Sequence, residues 1–197
     1  MTNFEKLYYM ENEQNGMLQL ADAEKYGISK PVFYQYVKER QLYRAAPGIY
    51  LSKDAWVDSM YLLHLRFKQA VFSHETALFL HDLTDREPIA YTLTVKTGYN
   101  PRDIKKEGVQ VFTIKQELME IGVTTAKTPF GNIVPIYDME RTICDLLRSR
   151  SQIEIQTLQT ALKQYVLRKD KNLRMLMRYA KQFHVEKILR QYLEVLL

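Results

Sequence analysis

The sequence has few of the residues that mark several large classes of protein. One cysteine in 197 residues excludes an internal disulfide framework and a multi-cysteine zinc or iron–sulfur site. The low counts of glycine (7) and proline (6) argue against collagen-like, low-complexity and disordered chains. No apolar run approaches the roughly 20 residues of a membrane span, and the first residues lack the apolar stretch of a signal peptide. The sequence therefore predicts a cytoplasmic protein with no membrane partner.

The charge of the chain is concentrated near its end. The net charge is +5, made up of 0 over residues 1–55, −2 over 56–147 and +7 over 148–197. Such a basic excess suits a polyanionic partner, and it is equally typical of solvated helices rich in Lys and Arg. An anion-binding surface is therefore expected in the last fifty residues.

The first fifty residues have the outline of a small DNA-binding domain. The first helix has apolar side chains at helical spacing and one acid among them: Phe4, Leu7, Tyr8 and Glu11. A short helix over 20–26 ends at Gly27, Ser29 and Pro31 begin a third helix, and residues 42–51 form two strands around Pro47-Gly48. Three helices followed by a hairpin predict a winged helix-turn-helix.

The third helix has one face for the core and one for a ligand. Its apolar face holds Phe33, Tyr36 and Val37, and its other face holds Lys30, Tyr34, Gln35 and Lys38. An exposed helix of this kind fits the major groove, where amide and basic side chains reach base edges. Phosphate contacts are expected from Ser29, Arg44 and Lys53. Residues 29–44 have a net charge of +3, which favours DNA, while the zero net charge of residues 1–55 leaves a protein-binding domain as the alternative.

Residues 55–197 predict a mixed α+β domain, which follows a winged helix-turn-helix over residues 1–54. A long helix is expected from a cap at Ser52 or Asp54 to about Ala70, and a short helix near 75–81. Strands are expected at 91–95 and 109–114, and a hairpin from the runs at about 118–126 and 131–137. A helical lobe completes the chain, with helices at about 138–150, 152–168, 170–182 and 184–196.

The helical lobe contains a basic stripe. On the helix predicted over 170–182, cations recur at spacings of three and four residues: Lys171, Arg174, Arg178 and Lys181. Arg168 adjoins this stripe and Lys163 lies one turn earlier. The stripe could neutralise several DNA phosphates. A solvated face and a contact with an acidic protein partner are the alternatives.

The sequence contains no motif that carries catalysis. His74 and His81 are seven positions apart, which is not a metal-ligand spacing. Ser73 is expected to cap the short helix rather than to act as a nucleophile, and Cys144 is expected to be a buried structural thiol. No Gly-rich phosphate loop or nucleophile elbow is present. The sequence therefore predicts a protein that is not an enzyme and has no metal or cofactor.

Four stretches together resemble the AbiEi-type antitoxins of bacterial abortive-infection toxin–antitoxin systems. They are Gly27-Ile28-Ser29; Leu42, Arg44, Gly48 and Tyr50; the run from Phe72 to Leu78; and Ile136 to Thr142 continuing into Asp145-Leu146-Leu147. The order and spacing of these stretches carry the resemblance. One departure is Arg40-Gln41, where relatives often have a glycine at the end of the third helix.

The resemblance implies a specific biology. A protein of this family represses its own operon by binding inverted repeats in the promoter through the winged helix. Its C-terminal domain counteracts a nucleotidyltransferase toxin without forming a stable complex, in phage defence. The alternative is a C-terminal domain that is an enzyme and modifies the toxin or reverses its effect.

Overall fold

The computed structural model describes residues 1–196, and its chain divides into two compact units. The N-terminal unit is Met1–Leu62 and the C-terminal unit is Leu63–Leu197. The sequence placed the boundary earlier, near residue 54. Helices and small sheets together confirm the predicted α+β class.

The N-terminal unit combines three helices with a small antiparallel sheet. Its elements up to residue 51 are α1 (Asn3–Glu13), β1 (Met17–Gln19), α2 (Leu20–Lys25), α3 (Lys30–Glu39), β2 (Tyr43–Ala46) and β3 (Ile49–Leu51). The strand order is β1-β3-β2. The hairpin that the sequence predicts as the wing is the pair β2–β3. A third strand, β1, which the sequence did not predict, pairs with β3.

A tight turn joins α2 to α3. Gly27 has φ +74°, in the left-handed region that glycine adopts without steric cost. Ile28 is only 1% exposed and packs with Leu7, Ala23 and Phe33 in the core of this unit. The flexible glycine and the buried isoleucine therefore set the angle between the two helices.

The predicted helix from Ser52 or Asp54 to Ala70 is wrong at both ends. The observed helix, α4, is Ser59–Arg66. The carboxylate of Asp58 accepts a hydrogen bond from the Tyr61 amide at 3.0 Å, so Asp58 rather than Ser52 or Asp54 begins the helix. Trp56 therefore lies before the helix, and it is 78% exposed.

A five-stranded mixed sheet forms one part of the C-terminal unit. Its elements are β4 (Val71–Phe72), α5 (His74–Leu80), β5 (Thr92–Lys96), α6 (Arg102–Lys106), β6 (Gln110–Ile114), α7 (Gln116–Met119), β7 (Val123–Lys127) and β8 (Ile133–Tyr137). The strand order is β6-β5-β4-β8-β7, with β5–β6 and β4–β8 parallel. The predicted hairpin is confirmed as the antiparallel pair β7–β8, but its first strand begins at Val123 rather than near residue 118, because residues 116–119 form α7.

The helical lobe completes this unit, as predicted. It consists of α8 (Met139–Arg148), α9 (Ile155–Leu167), α10 (Leu173–Gln182) and α11 (Glu186–Leu196). Every residue of α8 from Glu140 to Leu147 is buried. The helix packs against α5, α9 and α10, so it is the centre of the unit. Among the described residues, no helix is long and apolar enough to cross a lipid bilayer.

Candidate nucleic-acid interface

The face of α3 opposite the core is exposed. Phe33, Tyr36 and Val37 are buried, as predicted. The four side chains predicted to reach DNA bases are all exposed on this helix: Lys30, Tyr34, Gln35 and Lys38. The helix thus presents two ammonium groups, an amide and a phenol to solvent.

Three of these side chains have neighbours that hold them on the surface. Lys30 Nζ lies 3.6 Å from a Glu24 carboxylate oxygen, and Gln35 donates a 3.0 Å hydrogen bond to Glu39. The Tyr34 ring packs edge-to-face on Phe33 and on Tyr50 of the wing, with ring centroids 5.6 and 6.2 Å apart. The aromatic contacts fix the direction of Tyr34, while Lys30 and Gln35 can exchange exposed partners at low cost.

The predicted phosphate-contacting residues of this unit lie at the ends of α3 and in the wing. Ser29 is the N-cap of α3, and its side chain accepts no hydrogen bond from the helix. Arg44 is exposed on β2. Lys53 Nζ lies 3.4 Å from the side-chain oxygen of Gln41. Gln41 has φ +55° at the end of α3, the conformation that glycine favours.

A buried carboxylate fixes the C-terminal half of α3. Glu11 of α1 is 2% exposed, and it accepts a 2.6 Å hydrogen bond from the Tyr36 hydroxyl and one of 3.3 Å from Arg40. The guanidinium of Arg40 also lies over the Tyr8 ring. Burial and the bond to Glu11 raise the pKa of Tyr36 well above its usual value. No role was predicted for Glu11, although an acid among the apolar residues of the first helix was a signal of a buried, hydrogen-bonded carboxylate.

A second set of cations lies on the helical lobe. Arg174, Arg178 and Lys181 are exposed on α10, and we call them the α10 basic face. The opposite side of α10 packs inward through Leu176, Tyr179 and Ala180. Lys163 is exposed on α9. These four side chains are in the solvated positions that the sequence predicted for them.

Two members of the predicted stripe lie before α10. The helix begins at Leu173, because the Asn172 side chain accepts a hydrogen bond from the Met175 amide and caps it. The prediction that Lys171 lies on the same helical face is therefore wrong, and its ammonium instead donates to the Arg168 carbonyl. Arg168 forms two 2.9 Å hydrogen bonds with Asp170, which balances its charge.

Ser73 has a different role from the predicted helix cap. Its side chain accepts no hydrogen bond from the helix. Instead Thr94 donates to Ser73 Oγ at 2.8 Å, and Ser73 Oγ lies 3.0 Å from His74 Nδ1. His74 Nε2 lies 3.1 Å from Ser149 Oγ, and the imidazole stacks on Phe112 at 3.5 Å. Each nitrogen of the His74 ring therefore has a hydroxyl group as its hydrogen-bonding partner.

The buried groups of this network are sheltered from substrates. Ser73 and His74 are both 0% exposed. Burial, together with the nearby Arg148 and Arg141, lowers the pKa of His74 to about 3. Cys144 is buried as predicted, and burial raises the pKa of its thiol. Within residues 1–196 no three His, Cys, Asp or Glu side chains converge on a point that could hold a metal ion.

The burial of His74 predicts an acid-sensitive C-terminal unit. The unfolded chain binds a proton near the ordinary pKa of 6.5, whereas the folded chain binds one only near 3. The stabilisation that His74 contributes is therefore fully present above about pH 6.5, and the free energy of unfolding falls by about 1.4 kcal/mol per pH unit from there down to about pH 3. Urea unfolding across this range measures the slope. The variant His74→Gln has no titrating ring, so its free energy of unfolding should lack this dependence on pH. A dependence equal to that of the unmodified protein would contradict the role of His74.

Comparison with known proteins gives a fold and no family. No protein-family model matches the chain, and none of the curated proteins is similar to it in sequence. In the solved structures, the crystal structure of the RV2827C protein from Mycobacterium tuberculosis matches 92% of this chain and 72% of its own, with a TM-score of 0.58. At 11% sequence identity, this similarity supports the α+β fold alone.

Proposed function

We propose that this protein binds DNA through α3 and represses transcription of its own operon. The observation that carries the proposal is the exposed face of α3, where Lys30, Tyr34, Gln35 and Lys38 lie opposite the buried anchors Phe33, Tyr36 and Val37. Among winged helix-turn-helix proteins this helix is the one that enters the major groove. Arg44 on the wing adds a cation for a phosphate.

The chemistry of the face suits the reading of bases. A glutamine amide can pair with adenine through two hydrogen bonds, and a lysine can donate to the O6 and N7 atoms of guanine. Each good base contact contributes about 1–3 kcal/mol of discrimination. On binding bases, Lys30 and Gln35 would give up their contacts with Glu24 and Glu39. Such exposed contacts each contribute at most about 1 kcal/mol. Exchange of these partners for bases is therefore favourable.

We also propose that the α10 basic face binds DNA phosphates. Arg174, Arg178 and Lys181 are exposed and have no acidic partner within the described chain. Lys163 adds to this surface, while Arg168 and Lys171 contribute less because their polar groups are occupied. An acidic protein partner is the alternative occupant of the face.

Loss of two cations from this face should flatten the salt dependence of DNA binding. The pair Arg174→Ala and Arg178→Ala should reduce the slope of log K against log salt by about two, because each neutralised phosphate contributes about 0.9. Affinity should fall alike for all DNA sequences. The pair Lys105→Ala and Lys115→Ala removes the same charge from exposed sites elsewhere in the C-terminal unit and serves as the control. If both pairs leave the slope unchanged, the α10 basic face does not bind DNA.

We further propose that the C-terminal unit counteracts a nucleotidyltransferase toxin. The support is the resemblance to the AbiEi-type antitoxins, whose stretches at Phe72–Leu78 and Ile136–Leu147 include the buried His74 network and Arg141. Co-expression with the toxin encoded in the same operon should restore growth. Co-elution of the two proteins at physiological salt would instead favour stable docking, and toxin modified in the presence of nucleotide and magnesium would favour an enzyme.

A further inference from the structure

Helix α1 carries a stripe of exposed and partly exposed side chains that DNA binding does not use. Lys6, Tyr9, Met10 and Glu13 follow the spacing i, i+3, i+4 and i+7, so they lie along one face of the helix. The buried residues of α1, Leu7 and Glu11, are on another side, and Met10 is partly buried at the edge of the core. We call the first four residues the α1 stripe.

The α1 stripe is one wall of an open groove. The other wall is α2 with Tyr26, at the end of that helix. Tyr9 is 59% exposed and Tyr26 is 67% exposed. Tyrosines are enriched at protein–protein interfaces, because each ring gives a large contact area and the hydroxyl stays solvated or bonded. Two such tyrosines on one groove indicate a surface that another molecule covers.

The charges of the α1 stripe are arranged symmetrically. Lys6 and Glu13 lie at equal distances from the midpoint between Tyr9 and Met10, about 5 Å along the helix axis on either side. Neither side chain forms an ion pair within residues 1–196. If a second α1 helix is related to the first by a two-fold axis through this midpoint, perpendicular to the helix, Lys6 of each helix lies opposite Glu13 of the other.

We propose that a second copy of this chain docks on the α1 stripe, with the two α1 helices antiparallel. In this contact Lys6 of each copy faces Glu13 of the other, and Tyr9 packs against Met10. The same patch is used on both copies, as in a two-fold symmetric interface. The proposal concerns association of the free protein and does not depend on DNA binding.

Charge reversal tests the symmetry of this contact. We expect the full-length protein to dimerise reversibly in sedimentation velocity between micromolar and millimolar concentrations at low salt. Lys6→Glu and Glu13→Lys should each weaken the dimer by about tenfold or more, because each creates two contacts between like charges. The double variant, with both reversals, should return close to the affinity of the unmodified protein. A mixture of the two single variants should form a heterodimer, since every charge then faces its opposite.

Matched controls separate this interface from general electrostatics. Lys127→Glu and Glu117→Lys make the same charge changes at exposed sites of the C-terminal unit, and they should leave association unchanged. A protein that stays monomeric over the whole range would overturn the proposal. So would a double variant that associates no better than the single variants, or single variants that associate as well as the unmodified protein.

Discussion

Replacement of Arg141 by methionine should lower the free energy of unfolding of the C-terminal unit by about 3–5 kcal/mol. Arg141 is 0% exposed, and its Nε lies 2.9 Å from the Asp145 carboxylate, which is itself 1% exposed. The guanidinium also donates to the carbonyls of Leu118 and Ile121 at 2.8 and 2.7 Å. Its removal leaves a buried carboxylate and two carbonyl oxygens without this donor.

The aromatic surroundings add to this effect. The guanidinium carbon of Arg141 lies 4.1 Å from the centroid of the Tyr137 ring and 4.0 Å from that of Phe183. Cation–π contacts of this kind contribute about 2 kcal/mol where water is excluded. A methionine side chain at this position replaces neither the charge nor the planar stacking. Arg141 thus links α8 to the loop before β7 and to the end of α10.

Urea unfolding, monitored through the hydrogen exchange of residues 63–196, measures the loss of unfolding free energy in this unit. Arg102→Met changes an exposed arginine and should alter stability by less than about 0.5 kcal/mol. Adding Asp145→Leu to Arg141→Met should recover part of the loss, because the uncompensated carboxylate is removed as well. A loss below about 1 kcal/mol for Arg141→Met alone would show that the ion pair does not organise the unit.

The second large effect concerns DNA. The pair Lys30→Ala and Gln35→Ala on α3 should reduce the preference for operator over unrelated DNA by about a hundredfold or more, since each lost base contact costs about 1–3 kcal/mol. The affinity for unrelated DNA should change much less, because most phosphate contacts remain. The fold should persist, as both side chains are exposed.

Competition binding with operator and shuffled duplexes of equal length measures this preference. Lys127→Ala with Gln116→Ala removes the same two residue types from exposed sites of the C-terminal unit, and it should leave the preference intact. An equal loss on both duplexes would mean that α3 contacts only phosphates.

The first three helices and the hairpin of the N-terminal unit were predictable because their signals are local. Pro31 near the start of α3, Gly27 before it and the Pro47-Gly48 turn of the wing each determine backbone geometry within a few residues. The apolar spacing of Phe33, Tyr36 and Val37 then identified the buried face, and by elimination the exposed one.

The features that could not be predicted from the sequence depend on contacts between residues that are distant along the chain. Strand β4 has two residues and no periodicity, and it exists because β5 and β8 pair with it. Asn172 stops α10 from extending to Lys171 partly because its backbone amide donates to Glu140. Ser73 has the sequence of a helix cap, but its hydroxyl instead accepts a hydrogen bond from Thr94, 21 residues later in the chain. Each contact joins residues that no short window contains.

Sequence-specific DNA binding by the α3 face is tested most directly by one titration. The full-length protein is titrated with the DNA upstream of its own gene, and with a shuffled duplex, at two salt concentrations. We expect affinity for the upstream DNA to be at least about a thousandfold above that for the shuffled duplex, and both affinities to fall steeply with salt. Equal affinity for the two duplexes would contradict this function, and a protein-binding winged helix would then be the better interpretation.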